Sequence, residues 1–538
     1  FSNKFVNCII AKPIMKKLSS TFFVFLFFTL AAYSQTAPTE IQFVRQGVKR
    51  IIFDQDQSIP LASLNPEKII GLNVMHPIHQ YGKDSAKINI EKGLLNITAN
   101  TESESTIWLA GFNPFATYIM DLGDITGEGK LGFQFADPNK KEIVRLSISY
   151  SAGLIADIEF DHQKPAEHIN FNQSIYIPEK KEIPLKGKLI LQMLGSGLTL
   201  YLQNEGLPTV LAQMDFAEHT DLREIEKIRK FQTSLYAQQQ KGTIGIKSLD
   251  IQLNAGMGLA DIRALTYETG EPIMDQGRLW FSMSVRGRAL PHHLQGIFSM
   301  DPSVFDIKFE GIVVFDRGDG LWRNEVASHI FFDRRDSIWR GITTGFSAYA
   351  NKSEKKQLLA VESKQDPRFG FSIMKAKTMG QVGDIEDPHI IFDKDANKWR
   401  ILTCENSDGY KAIILESDDW DKGYKKIAGP VKHNSTGTSI QRINGKLYCF
   451  SGSSEKEVFI YSYPDLKELG HLTMDLPPWD ETSNSRVWPN VIQLPEGYPT
   501  KYIALMMDRF NYPGLKGPNW TYGALYLYHG YEKIRTSP

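Results

Sequence analysis

The chain has 538 residues, 42 % of them hydrophobic and 23 % charged, a composition ordinary for globular proteins and a length beyond what one hydrophobic core serves. Its 61 Lys and Arg stand against 62 Asp and Glu, a formal net charge of −1, so no global field draws nucleic acid or an anionic membrane. Neither is expected as a partner.

"MKKLSSTFFVFLFFTLAAYSQ", beginning at Met15, places two lysines before an apolar run and ends in small residues, the pattern of a secretory signal peptide. The apolar run from Thr21 to Ala32 is short for a membrane span, and no second stretch of spanning length occurs after it. Export and cleavage near Ser34 or Gln35 are expected, to a secreted or periplasmic destination. Residues 1–14 precede this start and read as an over-extended frame outside the fold. Cys404 and Cys449 remain in the mature chain, and both sit in apolar strand-like contexts expected to hold free core thiols.

From 36 to 260, short runs such as "AKINIEKGLLNITA", "KLGFQFA" and "KLILQMLGSGLTLYLQ" alternate polar and apolar residues between Gly, Asn and Asp turns. Period two predicts antiparallel strands, and many short strands predict a β-sandwich of jelly-roll or concanavalin type. One charged stretch, "EHTDLREIEKIRKFQTSLYAQQQKG", has helical spacing and is expected to be a helix or excursion packed on the sandwich. Near 255–265 the composition shifts, and eight of the nine tryptophans lie beyond it, with only Trp108 before. The domain boundary is placed there, giving 1–35 as leader, 36–260 as sandwich and 261–538 as a second all-β domain.

Within the second domain, "HIFFDRRDSIWRGITT" (329–344) lies over "HIIFDKDANKWRILTC" (389–404) residue for residue. Related strand-turn-strand stretches occur at 270–287, 437–453 and 487–509. Aligning Pro272, Ser328, Pro388, Ser439 and Pro489 gives intervals of 56, 60, 51 and 50 residues, the period of propeller blades. The expectation is a five-bladed β-propeller.

Inner strands of a propeller converge at one mouth of its channel, so Glu271, Glu325 and the Glu386/Asp387 pair are expected to gather there. Clustered carboxylates shift one another's pKa and can divide acid and base roles. The chain lacks a nucleophile elbow, a phosphate loop and an HExxH zinc motif, which leaves two-carboxylate cleavage of a glycosidic bond as the fitting chemistry. Arg323, His329, His389, Arg486 and Trp488 lie within a few positions of the repeated point and are the candidate sugar contacts, Trp488 as a ring platform.

At these residues the chain resembles the five-bladed propeller glycosidases related to glycoside hydrolase family 43, whose blades open with "DP" or "EGP". The resemblance implies Glu271 of "GEP" as general base, Glu386 of "EDP" as general acid, and Glu325 or Asp387 as tuner of the acid. It also implies action on terminal arabinofuranosides, xylosides or galactosides. This sequence departs from the pattern in having Glu for Asp at the base and no acid-Pro in the second blade. A non-catalytic glycan-binding propeller and a polysaccharide lyase are the alternative functions. No metal site is assigned and no cofactor is required; calcium in the channel has no ligand motif in the sequence.

Overall fold

The alternation read from the sequence becomes strand over most of the chain. The computed structural model describes residues 36–53, 57–165, 167–172, 182–288, 293–346, 353–515 and 521–533; the expected leader, 1–35, lies outside them. Among the described residues the α-helices are short, Leu72–Met75 and Ile225–Lys230, and none is long and apolar enough to cross a membrane. The protein is all-β.

Strands between Pro60 and Leu253 form a connected antiparallel network. Its backbone is Gln232–Leu253, a 22-residue strand that pairs first with Ser103–Gly111 and Glu128–Ala136, then with Ala116–Ile125 and Leu94–Ala99. The strand therefore passes from one group of strands to another, and both contribute to one core that includes Leu95, Phe133, Ile158, Leu191 and Leu200. The helix expected over 218–242 shrinks to Ile225–Lys230, because from Thr233 onward inward residues alternate (Thr233, Leu235, Ala237) and pair with strand neighbours.

This network is pinned to the C-terminal half of the chain by Arg223, which donates to Asn324 Oδ1 at 2.8 Å while forking onto Asp221 at 2.9 and 2.8 Å. These bonds hold the Asp221 carboxyl down at about 2 against the opposing effect of burial. A depressed carboxyl stabilises the fold above its unfolded pKa and loses that contribution as pH falls through the folded one. We therefore expect Asp221→Asn to cost about 2 kcal/mol at pH 7, with the gap to wild type closing between pH 4 and 2 in denaturant titrations.

From Gly258 on, the strands belong to an eleven-stranded sheet, two four-stranded sheets and a five-stranded sheet. The eleven-stranded one consists of two antiparallel runs, 258–316 and 326–382, joined by a parallel pairing of 311–316 with 370–375. These two runs and the other three sheets are taken as successive units. Their inner strands are Gly258–Ala264, Val326–Asp333, Ile385–Asp393, Thr436–Ile443 and Asn490–Gln493. Each inner strand lies against the inner strand of the next unit, and the fifth unit lies against the first, so the units close on themselves. The outer strand of the fifth unit is Ile41–Lys49, paired antiparallel with Leu525–Glu532. This stretch, placed with the N-terminal half by the sequence division, thus completes the last unit. Ile41 and Phe43 drop into a core with Ile460, Val487, Tyr502 and Tyr528.

Four inner strands carry a bulge at the same place, between Ala260 and Arg263, Val326 and His329, Glu386 and His389, and Thr436 and Ser439. The extra residue takes a left-handed backbone in each: Asp261 (φ 53°), Ala327 (57°), Asp387 (59°) and Gly437 (61°). A bulge re-aims side chains locally, and its recurrence fixes which residues are equivalent. Two of the sequence alignments shift as a result. The first unit's matching point is Asp261–Ile262, ten residues before Pro272, and the fourth's is Gly437–Thr438, one before Ser439. In the fifth unit Trp488 precedes Asn490 by two, as Gly437 precedes Ser439.

Candidate active site

Two residues past each of the four bulges stands a polar residue, Arg263, His329, His389 and Ser439, with Asn490 at the matching point of the fifth strand, and all five are fully buried. His329 and His389 stack with ring centroids 3.9 Å apart. The backbone N–H of Ile390 donates to His329 Nδ1 at 3.1 Å, which places the His329 proton on Nε2, facing Thr266 Oγ1 at 3.1 Å. Burial pushes both imidazoles well below their usual range, with Arg263 adding to the effect, so both are neutral. Neither ring reaches solvent.

The carboxylates sit at the start of the inner strands. Glu386 receives Lys356 Nζ at 2.8 Å, and the same ammonium reaches Tyr410 Oη at 2.7 Å and Asp384. Asp387 accepts the Gly437 N–H at 2.7 Å, with Cys404 Sγ 3.8 Å away. Burial is the largest influence on both acids and drives them upward. Lys356 opposes it at Glu386, whereas neighbouring Glu386 and Asp261 add to it at Asp387.

Asp261, not singled out from the sequence, occupies the matching bulge of the first unit and is ion-paired to Arg286 at 2.6 Å. It lies close enough to Asp387, Arg263 and Arg509 to shift all three. Asp261 lies 66 residues before Ala327, farther than the 50–60-residue period, so counting back one period lands at 267–277 and passes over "GLADIRA" (258–264).

Glu325 is fully buried at the second unit's strand start. Three of the four expected acids, Glu325, Glu386 and Asp387, are thus at one end of the units. Glu271 is not. It comes after Thr266–Tyr267, which pairs with Phe331–Phe332 at the far end of the second inner strand, and it lines a cleft with Asp393, where the third inner strand ends. Seven residues of strand separate Asp393 from Glu386, about 23 Å at ~3.3 Å per residue. The expected pairing of Glu271 with Glu386 is overturned, because the acid-Pro of "GEP" belongs to the chain after the first inner strand.

That far cleft has a volume of about 860 Å³, and the acids Glu271 and Asp393 that line it are both ion-paired. Arg334 takes Glu268 at 2.8 Å and Glu271 at 2.9 Å, and Arg400 takes Asp393 at 2.5 Å. Such pairs fasten hairpins.

The remaining sequence candidates divide. Arg323 is committed to Asp319 (2.5 Å) and Glu354 (2.6 Å) and does not reach Glu386. Trp488 is 3 % exposed, with the Arg263 guanidinium 4.6 Å from its ring, so it packs where an open sugar platform was expected. Its ring lies against Gly437, where an added Cβ would come within 2.6 Å of it. Arg486 is half-buried at the fifth strand's approach, its carbonyl receiving Arg509 Nη1 at 2.7 Å. Cys404 and Cys449 are free and buried.

Among the described residues, Glu386, Asp387 and Cys404 can each offer one ligand atom within 4.8 Å of the others. The Lys356 ammonium already on Glu386 disfavours a cation there.

No family model matches the chain, and no curated protein matches it. Solved structures similar to parts of it include an α-L-arabinofuranosidase from Podospora anserina (9 % identity, TM-score 0.36, 52 % of this chain and 92 % of that one). A family 117 glycoside hydrolase produced by the marine bacterium Zobellia galactanivorans is similar at 10 % identity and TM-score 0.36, over 53 % and 88 %. A GH43_1 enzyme from Xanthomonas citri is similar at 10 % and 0.35, over 51 % and 88 %.

Proposed function

We propose that the chain is an exported glycoside hydrolase in which a five-bladed β-propeller is braced by an N-terminal β-sandwich. The observation that carries this reading is the convergence of acids at one end of the units, Asp261 from the first and Glu386/Asp387 from the third, at matching bulges. Glu386, its carboxyl raised by burial, is the proton donor to the leaving glycosidic oxygen. Asp261, held by Arg286, takes a proton from the attacking water, in the role first assigned to Glu271. Asp387, between them, tunes the pair by its own charge state. The products are two sugars, one with a new reducing end. The targets implied by the family resemblance are terminal arabinofuranosides, xylosides or galactosides.

The test is turnover of a panel of aryl glycosides and plant oligosaccharides by the wild type and Glu386→Gln. We expect reducing sugar without an unsaturated chromophore, and a rate at least about 100-fold lower in the variant. An unsaturated product would indicate a lyase, and equal rates would remove Glu386 from the chemistry. A non-catalytic glycan receptor is the second reading, favoured by the Lys356–Glu386 pair at 2.8 Å, which occupies the acid in the unliganded protein. It predicts sugar binding with no turnover.

A further inference from the structure

The two sides of the acid cluster differ in charge. On the third unit's side, Lys356 is matched by Glu386 and Asp384. On the side of the first and fifth units, the guanidiniums of Arg263, Arg286 and Arg509 meet Asp261 or Asp387, and Arg486 adjoins Arg509.

Three of these arginines keep donors unsatisfied. Arg286 spends Nη2 on Asp261 at 2.6 Å, yet its Nε is buried without a hydrogen-bond partner. Arg486 also has a buried, unpartnered Nε, and no carboxylate among the described residues pairs with it. Arg263, fully buried, has Nε and Nη1 without partners and makes only a 3.4 Å bond to the Asp387 carbonyl. Arg509, whose Nη1 donates to the Arg486 carbonyl at 2.7 Å, is pushed down to about 9 by burial first and then by the Arg486 charge, with Asp261 and Asp387 opposing and Arg286 adding to the effect. Like charges held this close in a buried place are costly unless an anion joins them. A guanidinium offers N–H donors in a planar fork that matches the oxygens of a carboxylate or a sulfate ester.

We propose that this site takes a saccharide bearing a negatively charged substituent, a carboxylate or a sulfate ester, seated against Arg286, Arg486 and Arg509. The inference rests on the hydrolase reading for its placement beside Glu386 and Asp261, and it narrows the substrate from sugars in general to acidic ones. Asp261 stays on Arg286 and remains available to water, while Arg486, at the solvent edge, is the first contact for the anion.

The experiment is calorimetric titration of the full chain carrying Glu386→Gln with three probes: methyl glucuronide, galactose 6-sulfate and methyl galactoside. At least one charged probe is expected to bind at least tenfold more tightly than the neutral one. That advantage should shrink at high salt and fall at least tenfold in Arg486→Ala. Preference for the glucuronide identifies a uronate ligand, and preference for the sulfate identifies a sulfated sugar. Equal affinity for all three probes, or undiminished charged-probe binding in an Arg486→Ala protein of unchanged melting temperature, overturns the proposal. The salt and probe comparisons need no arginine variant. If the wild type cleaves neutral aryl glycosides and shows no charge preference, the acidic-sugar inference fails and hydrolysis stands. If charged probes bind and no glycoside is cleaved, the anion subsite stands and hydrolysis fails.

Discussion

Asp261→Asn is expected to lower kcat/KM by about 100- to 10,000-fold on whichever glycoside the wild type cleaves best, the range that removal of a general base produces. Glu271→Gln is expected to leave it within about threefold, since that carboxylate sits at the far end of the inner strands on Arg334 at 2.9 Å. The contrast matters because sequence motifs alone favour Glu271, and only the shared bulge at Asp261, Ala327 and Asp387 favours Asp261. Asn keeps the shape of Asp and can still accept from Arg286, but an uncompensated buried guanidinium can cost about 3–5 kcal/mol. Melting temperature must therefore be measured beside the kinetics. A folded Asp261→Asn protein with wild-type turnover, or an inactive Glu271→Gln, would reassign the base.

The second large effect concerns stability. Phe43→Ala is expected to destabilise the protein by about 3–5 kcal/mol, as deletion of a fully packed aromatic does. Phe43 is 3 % exposed and packs in the core of the fifth unit, on a strand that pairs along its length with Leu525–Glu532. Val44, the next residue, faces solvent at 43 % exposure, and Val44→Ala should change stability by no more than about 0.5 kcal/mol. A shift in the denaturant midpoint for Phe43→Ala and none for Val44→Ala would establish that this strand clasps the last unit. Equal small shifts would mean that the unit stands without it.

Much of the second half was legible because its hairpins repeat in side chains as well as in backbone. "HIFFDRRDSIWRG" and "HIIFDKDANKWRI" announce strand, turn and strand by alternation and turn residues. What failed was the phase in the first unit. An acid before proline served as the marker, yet the structural constant is a left-handed bulge that accepts Asp261, Ala327, Asp387 and Gly437 alike. Backbone geometry of this kind has no single residue signature. Trp488 was misjudged for a related reason: its neighbour Gly437, 51 residues earlier, closes over its ring, and such packing is set by tertiary contact. "IQFVRQGVK" was readable as a strand, but nothing local shows that its partner lies near the other end of the chain.

That partnership has a bearing on how the molecule folds. Lys49 and its strand neighbour Leu525 stand 476 residues apart in sequence. Contacts this remote form slowly, because a long loop must close before they reward it. A chain in which the two strands have not yet met keeps a sticky margin open to aggregation or to a holding chaperone.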